Sequence, residues 1–389
     1  MEKQFIPALR FSEFEETNHS PVKFGSVINN SGYGPRFNGN DYDKFGNVKT
    51  IRGTDISLDG EIKYNKVPRA SLDETFIKNH ILKDGDLVMI TTADCGLTGV
   101  FRKQNINYIP SAYAVKISLK ETASSIYFKY FFQTIIAKNQ INRFIRKATV
   151  ANLPGSDIPK LKINIPSLPE QQKIAFFLTE VDIKLSQLTK KKALLENYKK
   201  GVMQQIFSQE LRFKDGNGND YGDWEEKKLG EIATITTGSS NRVDSNLTGE
   251  YAFFDRSQDI RTSGIYLFDG EAIIVAGEGQ EFIPKYFVGK FDLHQRTYSI
   301  MDFNKNNGKF LYYLIYKNRH YFYIQAVGST VKSLRLPMFQ EMKIKLPNIK
   351  EQTKIANFLN DLDAKIEVLS KSIENTETFK KGLLQQMFV

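Results

Sequence analysis

The sequence contains very little cysteine and histidine. One cysteine, Cys95, and four histidines occur among 389 residues. A single cysteine excludes an internal disulfide and a multi-cysteine zinc site, and it is typical of a protein from the reducing cytoplasm. The histidines are scattered and lack the spacing of metal ligands. We therefore expect neither a disulfide framework nor a metal centre.

Long apolar runs are absent as well. No run of about 18 apolar residues suggests a transmembrane helix. The first eleven residues, MEKQFIPALRF, lack the apolar core of a signal peptide. These two absences predict a soluble, cytoplasmic protein that does not enter a membrane.

Recognisable catalytic motifs are also missing. The chain has no Gly-x4-Gly-Lys-Ser/Thr phosphate loop, no Gly-x-Gly-x-x-Gly after a strand, and no Asn/Asp-Pro-Pro-aromatic signature of an amino-methyltransferase. We therefore expect a recognition protein with no active site and no cofactor of its own.

Positive charge is plentiful but unevenly distributed. The net charge is +10, and residues 1–169 hold 23 basic and 16 acidic side chains. Residues 208–345 carry 18 of each sign. Basicity favours a polyanion such as nucleic acid as partner. The neutral second half could bind one only if its charges were sorted onto one face.

The chain repeats itself with a long fixed period. Residues 166–207 recur without a gap as residues 347–388, with 19 identities in 42 positions. Such a period means that the chain contains two copies of one unit. Outside this segment the copies have diverged, although IRGTDI at 51–56 still resembles DRSQDI at 255–260. A protein with two similar surfaces is suited to a target that also has two parts.

The repeated segment has the periodicity of a long helix. Its seam positions step by four and three residues, from Ile174 to Ile206 and from Ile355 to Met387. This spacing predicts two helices of about 38 residues, each roughly 57 Å long. Either the seams pack on each other, or each helix packs on its own globular domain. We expect looser packing where Lys192, Lys199, Thr376 and Lys380 interrupt the seam.

Connectivity sets the direction of the two helices. The first runs from the first globular segment into the second, so the second helix must return toward the first. The prediction is an antiparallel coiled-coil rod with one globular domain at each end, related by a pseudo-two-fold axis.

The globular segments have the patterns of mixed α and β structure. Short apolar runs at 87–90, 162–165 and 273–275 predict strands, whereas the longer aromatic runs at 126–137 and 310–316 predict helices. The sequence EEKK at 225–228 predicts a solvated surface turn. The predicted domains are 1–165 and 209–346, and the predicted long helices are 166–208 and 347–389.

The repeated landmarks resemble those of type I restriction–modification specificity subunits. They are an LRF near each domain start, EQ-x-KIA-x-FL at each helix start, and KKG-x-x-QQ-x-F at each helix end. The resemblance covers essentially the whole chain. It implies an α+β fold with two mixed α/β target recognition domains joined by two long antiparallel coiled-coil helices in a pseudo-two-fold internal repeat.

The resemblance also implies a function and partners. Each domain would bind one half of a split double-stranded DNA target, with the helices as spacer. Partners would be two methyltransferase (modification) subunits, with restriction subunits in the full complex. S-adenosylmethionine, ATP and Mg²⁺ would belong to these partners. A helix of roughly 57 Å matches about 17 base-pair steps.

Arginine prefers guanine among the bases, so the loop arginines are the first candidates for DNA contact. Arg36 and Arg52 in the first half, and Arg242 and Arg256 in the second, lie in corresponding loops. Weaker DNA-binding candidates are Lys44, Lys49, Arg69, Arg102, Arg261 and Arg296. For each arginine a surface salt bridge remains an alternative.

The start of each long helix carries a repeated polar set. It comprises Glu170, Gln171, Lys173, Glu351, Gln352 and Lys354. We expect these residues to serve helix capping and partner docking. Two other functions remain open: a coiled-coil assembly scaffold, and a free-standing nucleic-acid-modifying enzyme with an unrecognised site.

Overall fold

The computed structural model describes residues 6–389 except Asn18, Ala148 and Leu247. Residues 1–5 of the N-terminal segment considered above lie outside the described residues. Contacts divide the chain into two units, the first made of residues 1–188 and 372–389 and the second of residues 189–371. Each unit therefore contains the start of one long helix and the end of the other. None of the described helices is both long and apolar enough to cross a membrane.

The first unit combines three sheets with short helices. Its strands are β1 Ser20–Lys23, β2 Ile28–Tyr33, β3 Val48–Ile51, β4 Arg69–Ala70, β5 Leu87–Ile90, β6 Thr98–Val100, β7 Asn107–Pro110, β8 Ala114–Leu119 and β9 Lys162–Ile165. Its short helices are α1 Glu74–Ile77, α2 Ser125–Phe131 and α3 Ile135–Phe144, and the long helix α4 spans Leu168–Phe207. The sheets have the orders β2-β8-β5-β6, β4-β3-β7 and β1-β9.

The apolar run at 126–137, predicted as one helical stretch, belongs to two helices. Thr134 interrupts it because its side-chain oxygen accepts the Ala137 N–H and so caps a new helix. Threonine is a favoured capping residue because its oxygen satisfies a backbone donor that the first turn leaves free. The strands predicted at 87–90 and 162–165 are confirmed as β5 and β9.

The second unit has one larger sheet. Its strands are β10 Glu225–Lys228, β11 Thr234–Thr237, β12 Tyr251–Phe254, β13 Arg261–Ser263, β14 Phe268–Ala276, β15 Glu278–Gly279, β16 Lys285–Leu293, β17 Thr297–Met301, β18 Lys332–Ser333 and β19 Lys343–Leu346. Its helices are α5 Leu229–Ile232, α6 Gly308–Asn318, α7 His320–Gln325, α8 Leu336–Gln340 and the long α9 Ile349–Gln386. Six strands pair in the order β11-β17-β14-β16-β12-β13.

The two units share one strand topology, apart from the short pair β15-β18 of the second unit and one difference in the main sheet. In the second unit the nine-residue β16 pairs antiparallel with β14 and parallel with β12, which joins all six strands. In the first unit the corresponding strand is divided into β6, which pairs with β5, and β7, which pairs with β3. Two smaller sheets replace the single large one for this reason.

The prediction of a surface turn at 225–228 is wrong. These residues form β10, which pairs antiparallel with β19. Opposite charges face each other in this ribbon, since Glu226 lies opposite Lys345 and also receives an ion pair from Lys343 at 3.0 Å. Such cross-strand pairs stabilise a strand that has no apolar alternation of its own.

The seam positions of both long helices are buried or half-buried throughout. In the first unit Leu178 and Val181 of α4 share a core with Leu383 and Met387 near the end of α9. The start of one helix therefore meets the end of the other. The two helices run antiparallel, as the sequence predicted.

The second unit repeats this arrangement. Val202 and Ile206 of α4 lie in the same core as Ile355 and Leu359 of α9. The end of α4 thus packs against the start of α9, again in antiparallel sense.

Polar seam residues join the helices to the globular part of the first unit. Lys380 forms an ion pair with Asp182 at 2.6 Å, and the Tyr130 hydroxyl donates to Asp182 at 2.7 Å. One carboxylate of α4 thereby links α9 to α2. The lysine expected to loosen the seam has a charged partner at this point.

The second unit contains the equivalent cluster. Lys199 forms an ion pair with Asp363, whose carboxylate also accepts the Tyr313 hydroxyl at 2.6 Å. Lys199 and Asp363 are the repeat counterparts of Lys380 and Asp182, at an offset of 181 residues. The repeat therefore preserves a link between helix pair and domain as well as a seam.

Candidate nucleic-acid interface

A cleft of about 570 Å³ in the first unit brings Arg36 and Arg52 together. Its walls follow the carboxyl ends of β2, β3, β5 and β7. Arg36 comes three residues after β2, and Arg52 comes directly after β3. Loops that leave neighbouring strands at one edge of a scaffold are the usual place for recognition residues.

Close backbone packing at Gly34 positions the loop of Arg36. A Cβ at residue 34 would lie 1.9 Å from the carbonyl oxygen of Pro110, so only glycine fits. The Gly34 N–H also donates to the Ala114 carbonyl at 3.0 Å. The Arg36 side chain is exposed, and within the described part of the chain it makes no hydrogen bond or ion pair. Its guanidinium is available for a ligand.

Arg52 is held by a carboxylate beneath it. Its guanidinium donates twice to Asp55 at 3.0 Å, and the Asp55 side chain is almost completely buried. The hydrogen bonds to Asp55 raise the pKa of Arg52 above its ordinary value. The pair fixes the direction of the arginine and occupies part of its donor capacity.

Three further cleft residues were not predicted from the sequence. Thr92 and Asp94 follow β5, and Tyr113, with 60% of its surface exposed, lies between β7 and β8. Ala93 between them has a left-handed backbone with φ of 64°, which is uncommon for a residue with a side chain. No spacing pattern marks these residues, because separate strands bring them together.

The other candidates in the first unit differ in availability. Lys44 and Arg69 are exposed. Lys49 is half-buried, and its ammonium donates to the Tyr64 carbonyl at 3.0 Å. Arg102 lies 3.6 Å from Asp84 in a surface ion pair. Lys44 and Arg69 can therefore approach a ligand more freely than Lys49 and Arg102.

The second unit collects its arginines around carboxylates. Arg242 donates to the Ser257 hydroxyl at 3.2 Å and lies 3.4 Å from Asp255. Arg256 and Arg296 both pair with Glu278, at 3.8 and 2.5 Å. Arg261 is half-buried on β13. Arg256 and Arg296 are thus brought together by one carboxylate, and Arg242 lies beside another, in a part of the chain that has no net charge.

The strand pairing changes which residue of the second half corresponds to Arg52. Val48 pairs with Ala70 at the start of β3, and Tyr251 pairs with Ser263 at the start of β12. Val48 and Tyr251 are 203 residues apart, so along β3 and β12 the structural counterpart of Arg52 is Asp255. The sequence had paired Arg52 with Arg256, which is one residue too far, although both arginines do follow corresponding strands.

The repeated Glu-Gln pair at each helix start makes internal contacts. Glu170 is completely buried and accepts two hydrogen bonds from Arg10, both at 2.7 Å, and His19 lies 3.3 Å away. The Gln171 side chain accepts the N–H of Ser124, the residue that caps α2. Burial lowers the pKa of His19. These contacts attach the N-terminal segment and α2 to the start of α4.

The second helix start repeats both attachments. Arg212 donates to both oxygens of buried Glu351, at 3.2 and 2.8 Å. Gln352 accepts the N–H of Asn307, the cap of α6. Of the six residues predicted for docking, four are buried in these contacts, whereas Lys173 and Lys354 are exposed.

Metal-ligating residues do not cluster in the structure. Among the residues described, no three histidine, cysteine, aspartate or glutamate side chains are grouped as a metal site would require.

Comparisons with known proteins converge on one family. The family model described as the type I restriction modification DNA specificity domain matches residues 21–197 and 221–377. The EcoDI specificity subunit of Escherichia coli is 31% identical over 163 residues, covering 42% of this chain and 36% of that subunit. The MjaVIII specificity subunit of Methanocaldococcus jannaschii is 24% identical over 290 residues, covering 66% and 68%.

A solved structure shares the fold. The type I restriction–modification S subunit of M. genitalium superimposes with a TM-score of 0.66 at 14% identity, covering 98% of this chain and 99% of the other. The family model covers most of this chain in two copies. The chain belongs to the type I restriction–modification DNA specificity family.

Proposed function

We propose that the chain is the non-catalytic DNA-recognition subunit of a type I restriction–modification complex in the cytoplasm. Residues 1–165 and 209–346 act as two target recognition domains, each binding one half of a bipartite DNA sequence. Residues 166–208 and 347–389 set the spacing between the half-sites and dock two methyltransferase subunits. Restriction subunits complete the assembly.

The contrast between the preserved and diverged parts of the two units carries this proposal. The Glu-Gln attachments and the Lys-Asp-Tyr clusters recur in both units, whereas the loops around the arginines do not. A shared scaffold with different loops is what two different DNA half-sites require of one chain. Base-specific contacts depend on which side chains reach the groove, so different loops select different bases.

In the first domain we assign base contact to Arg36 and orientation of the duplex to its neighbours. Arg36 is exposed and free of protein partners among the described residues, whereas Arg52 retains donors beyond those bound by Asp55. Lys44 and Arg69 are placed for phosphate contact because their charges face solvent. Lys49 and Arg102 contribute less, since each already has a partner.

In the second domain we assign base contact to Arg242, as we do to Arg36 in the first. The Arg242 side chain is 54% exposed beside Asp255, which orients it. Arg256 and Arg296 share one carboxylate, so a phosphate or base edge would compete with Glu278 for them. Arg261 is a further candidate at the edge of the sheet.

Exposed aromatic residues on the helices support docking of two identical partners. Tyr198 of α4 and Phe379 of α9 occupy equivalent repeat positions and are 52% and 53% exposed. The same aromatic surface therefore occurs once in each unit. Lys173 and Lys354 are also equivalent and exposed, but they contribute less, since Lys173 pairs with Glu13 and Lys354 donates to the Lys214 carbonyl at 2.6 Å.

Methylation mapping tests the proposal. The chain is co-expressed with its methyltransferase subunits, and methylated sites are mapped across a genome. We expect one bipartite motif with a fixed spacer, and methylation only when both subunits are present. A continuous motif, no sequence preference, or methylation by this chain alone would contradict the proposal.

Two alterations separate the domains from the spacer. Replacing residues 1–150 with the corresponding segment of a related subunit should change one half-site only. Removing the matched heptads 187–193 and 368–374 should shorten the spacer by about three base pairs, since seven helical residues span roughly 10 Å, and should leave both half-sites unchanged. A change in both half-sites after the domain replacement would contradict the division of labour.

A further inference from the structure

Phe45 is an exposed aromatic side chain that makes no ring contact among the described residues. It is 89% exposed, at the tip of the turn formed by residues 43–46. Single exposed apolar residues are ordinary on protein surfaces. Phe45 differs from them in how firmly it is held and in what surrounds it.

The turn that carries Phe45 is fixed by several contacts. The Asp43 carboxylate accepts the Phe45 N–H at 3.0 Å and the Ser71 hydroxyl at 2.9 Å. Gly46 lies so close to β4 that a Cβ at residue 46 would be 2.2 Å from the Ala70 carbonyl oxygen. An aromatic side chain on a rigid turn loses little conformational freedom when it binds, which favours insertion into a partner.

The surroundings of Phe45 match a polyanion. Lys44 precedes it and is exposed, and the side chain of Arg69 in the adjacent β4 is exposed and makes no hydrogen bond or ion pair among the residues described. Tyr42, three residues before Phe45, lines the cleft that contains Arg36. The aromatic tip therefore lies beside the surface assigned to DNA and has cationic neighbours.

The second unit repeats two of these contacts around a different residue. The Asn246 side chain accepts the Thr248 N–H at 3.1 Å, just as Asp43 accepts the Phe45 N–H. A Cβ at Gly249 would lie 2.3 Å from the Ser263 carbonyl oxygen, as at Gly46. Both glycines come two residues before a strand, so Thr248 is the counterpart of Phe45. The side-chain contact and the close glycine are preserved while phenylalanine is replaced by threonine, although the Gly249 N–H donates to the Thr262 hydroxyl at 2.9 Å and the Gly46 N–H to the Asp43 carbonyl at 3.1 Å.

We propose that Phe45 is an aromatic wedge that inserts at one base step of the half-site bound by the first domain. Thr248, at the same place in the second domain, contacts its half-site without insertion. Apolar side chains that enter a base step unstack it and bend the duplex, and aromatic side chains stack on bases. The inference rests on the proposed function, because it assumes that the first domain binds DNA.

Fluorescence of 2-aminopurine tests the insertion. The complex of this chain with its methyltransferase subunits is mixed with duplexes of its own mapped target, with 2-aminopurine at successive positions of each half-site. We expect the fluorescence to rise at one step of the first half-site with the wild-type chain and with Phe45→Trp. Phe45→Thr should abolish the rise and weaken binding about tenfold, since one base–aromatic stack is lost.

Leu58→Thr is the matched control. Leu58 is 87% exposed in the same unit but belongs to another turn, outside the cleft that contains Arg36. Its replacement should leave fluorescence and affinity unchanged. An equal loss with Leu58→Thr would overturn the inference, because exposure of any apolar side chain would then explain the effect.

The remaining outcomes separate the inference from the proposed function. If Phe45→Thr retains the fluorescence rise and the affinity, the wedge is refuted while the bipartite specificity stands. If Phe45→Thr prevents assembly with the methyltransferase, the aromatic tip docks protein and the inference is wrong. If the wild-type complex shows no bipartite target, the proposed function fails first.

Discussion

Removing Arg10 tests the attachment of the N-terminal segment to α4. Arg10 donates two hydrogen bonds at 2.7 Å to Glu170, whose side chain is completely buried. The same segment is held at a second point, where the Leu9 N–H donates to the Gln386 carbonyl at 2.9 Å. Arg10→Ala therefore leaves a buried carboxylate with His19 as its remaining neighbour, at 3.3 Å.

The expected cost follows from the burial of that carboxylate. Truncating one partner of a buried ion pair costs about 3–5 kcal/mol, because the other charge stays desolvated. Arg10 supplies both short hydrogen bonds to this carboxylate, so most of the cost should appear with the single substitution Arg10→Ala.

Hydrogen exchange is the suitable measurement, because a chain of two units does not unfold in one step. The opening free energy of the peptide covering residues 168–181 is compared between wild type and Arg10→Ala at several pH values. Glu170→Gln in the Arg10→Ala background should recover much of the loss, since it removes the unpaired charge. Gln172→Ala, an exposed neighbour on α4, is the control and should change little.

The second unit provides an internal comparison. Arg212 has 21% of its side chain exposed against 7% for Arg10, and its bonds to Glu351 are longer, at 3.2 and 2.8 Å. Arg212→Ala should therefore cost less than Arg10→Ala. A loss below about 1 kcal/mol for Arg10→Ala would refute the reasoning, because that is the range of an exposed ion pair.

Three further predictions address other contacts. Because burial lowers the pKa of His19, the unfolded chain binds the proton more readily, so the stability of the first unit should fall as pH drops below about 6.5, and His19→Gln should flatten that loss in the opening free energies from hydrogen exchange. Lys380→Met should cost about 1–3 kcal/mol in the same assay, since it removes the nearer of the two cations beside Asp182 and leaves Lys129 at 3.9 Å, whereas Lys381→Met, on the exposed side of the helix, should change little. Arg36→Ala should weaken binding by about 1–3 kcal/mol, relax selectivity at one position of the first half-site and leave the second unchanged, which a binding-site selection experiment would detect.

The long helices could be predicted from the sequence because their signal is local and repeated. The spacing of four and three residues gave helices within a few residues of Leu168–Phe207 and Ile349–Gln386, and the order of the segments gave their antiparallel direction. The polar interruptions were harder to interpret. Lys199 and Lys380 have carboxylate partners on the opposite helix, and a single-helix pattern does not contain that information.

The candidate DNA-binding surface was only partly accessible to sequence reasoning. The arginines stood out by residue type, but Tyr113 and Asp94 reach the cleft from different strands and carry no motif. The strand at 225–228 was missed because its pairing with β19, more than a hundred residues later, decides its conformation. The sequence also could not show that Arg52 corresponds to Asp255 rather than Arg256, since only the strand register reveals it.

The two units together explain why the Glu-Gln pair recurs while the loops diverge. Each glutamate holds an arginine of the LRF segment, and each glutamine holds the cap of a helix in its own unit, α2 or α6, against the long helix. Any change there would move the whole domain relative to its own helix. A change at Arg36, Phe45 or Thr248 moves no other element, because these side chains lie at the tips of loops. The chain can therefore alter what each domain recognises without altering how that domain is held, which is the property that a subunit with two separate DNA half-sites needs.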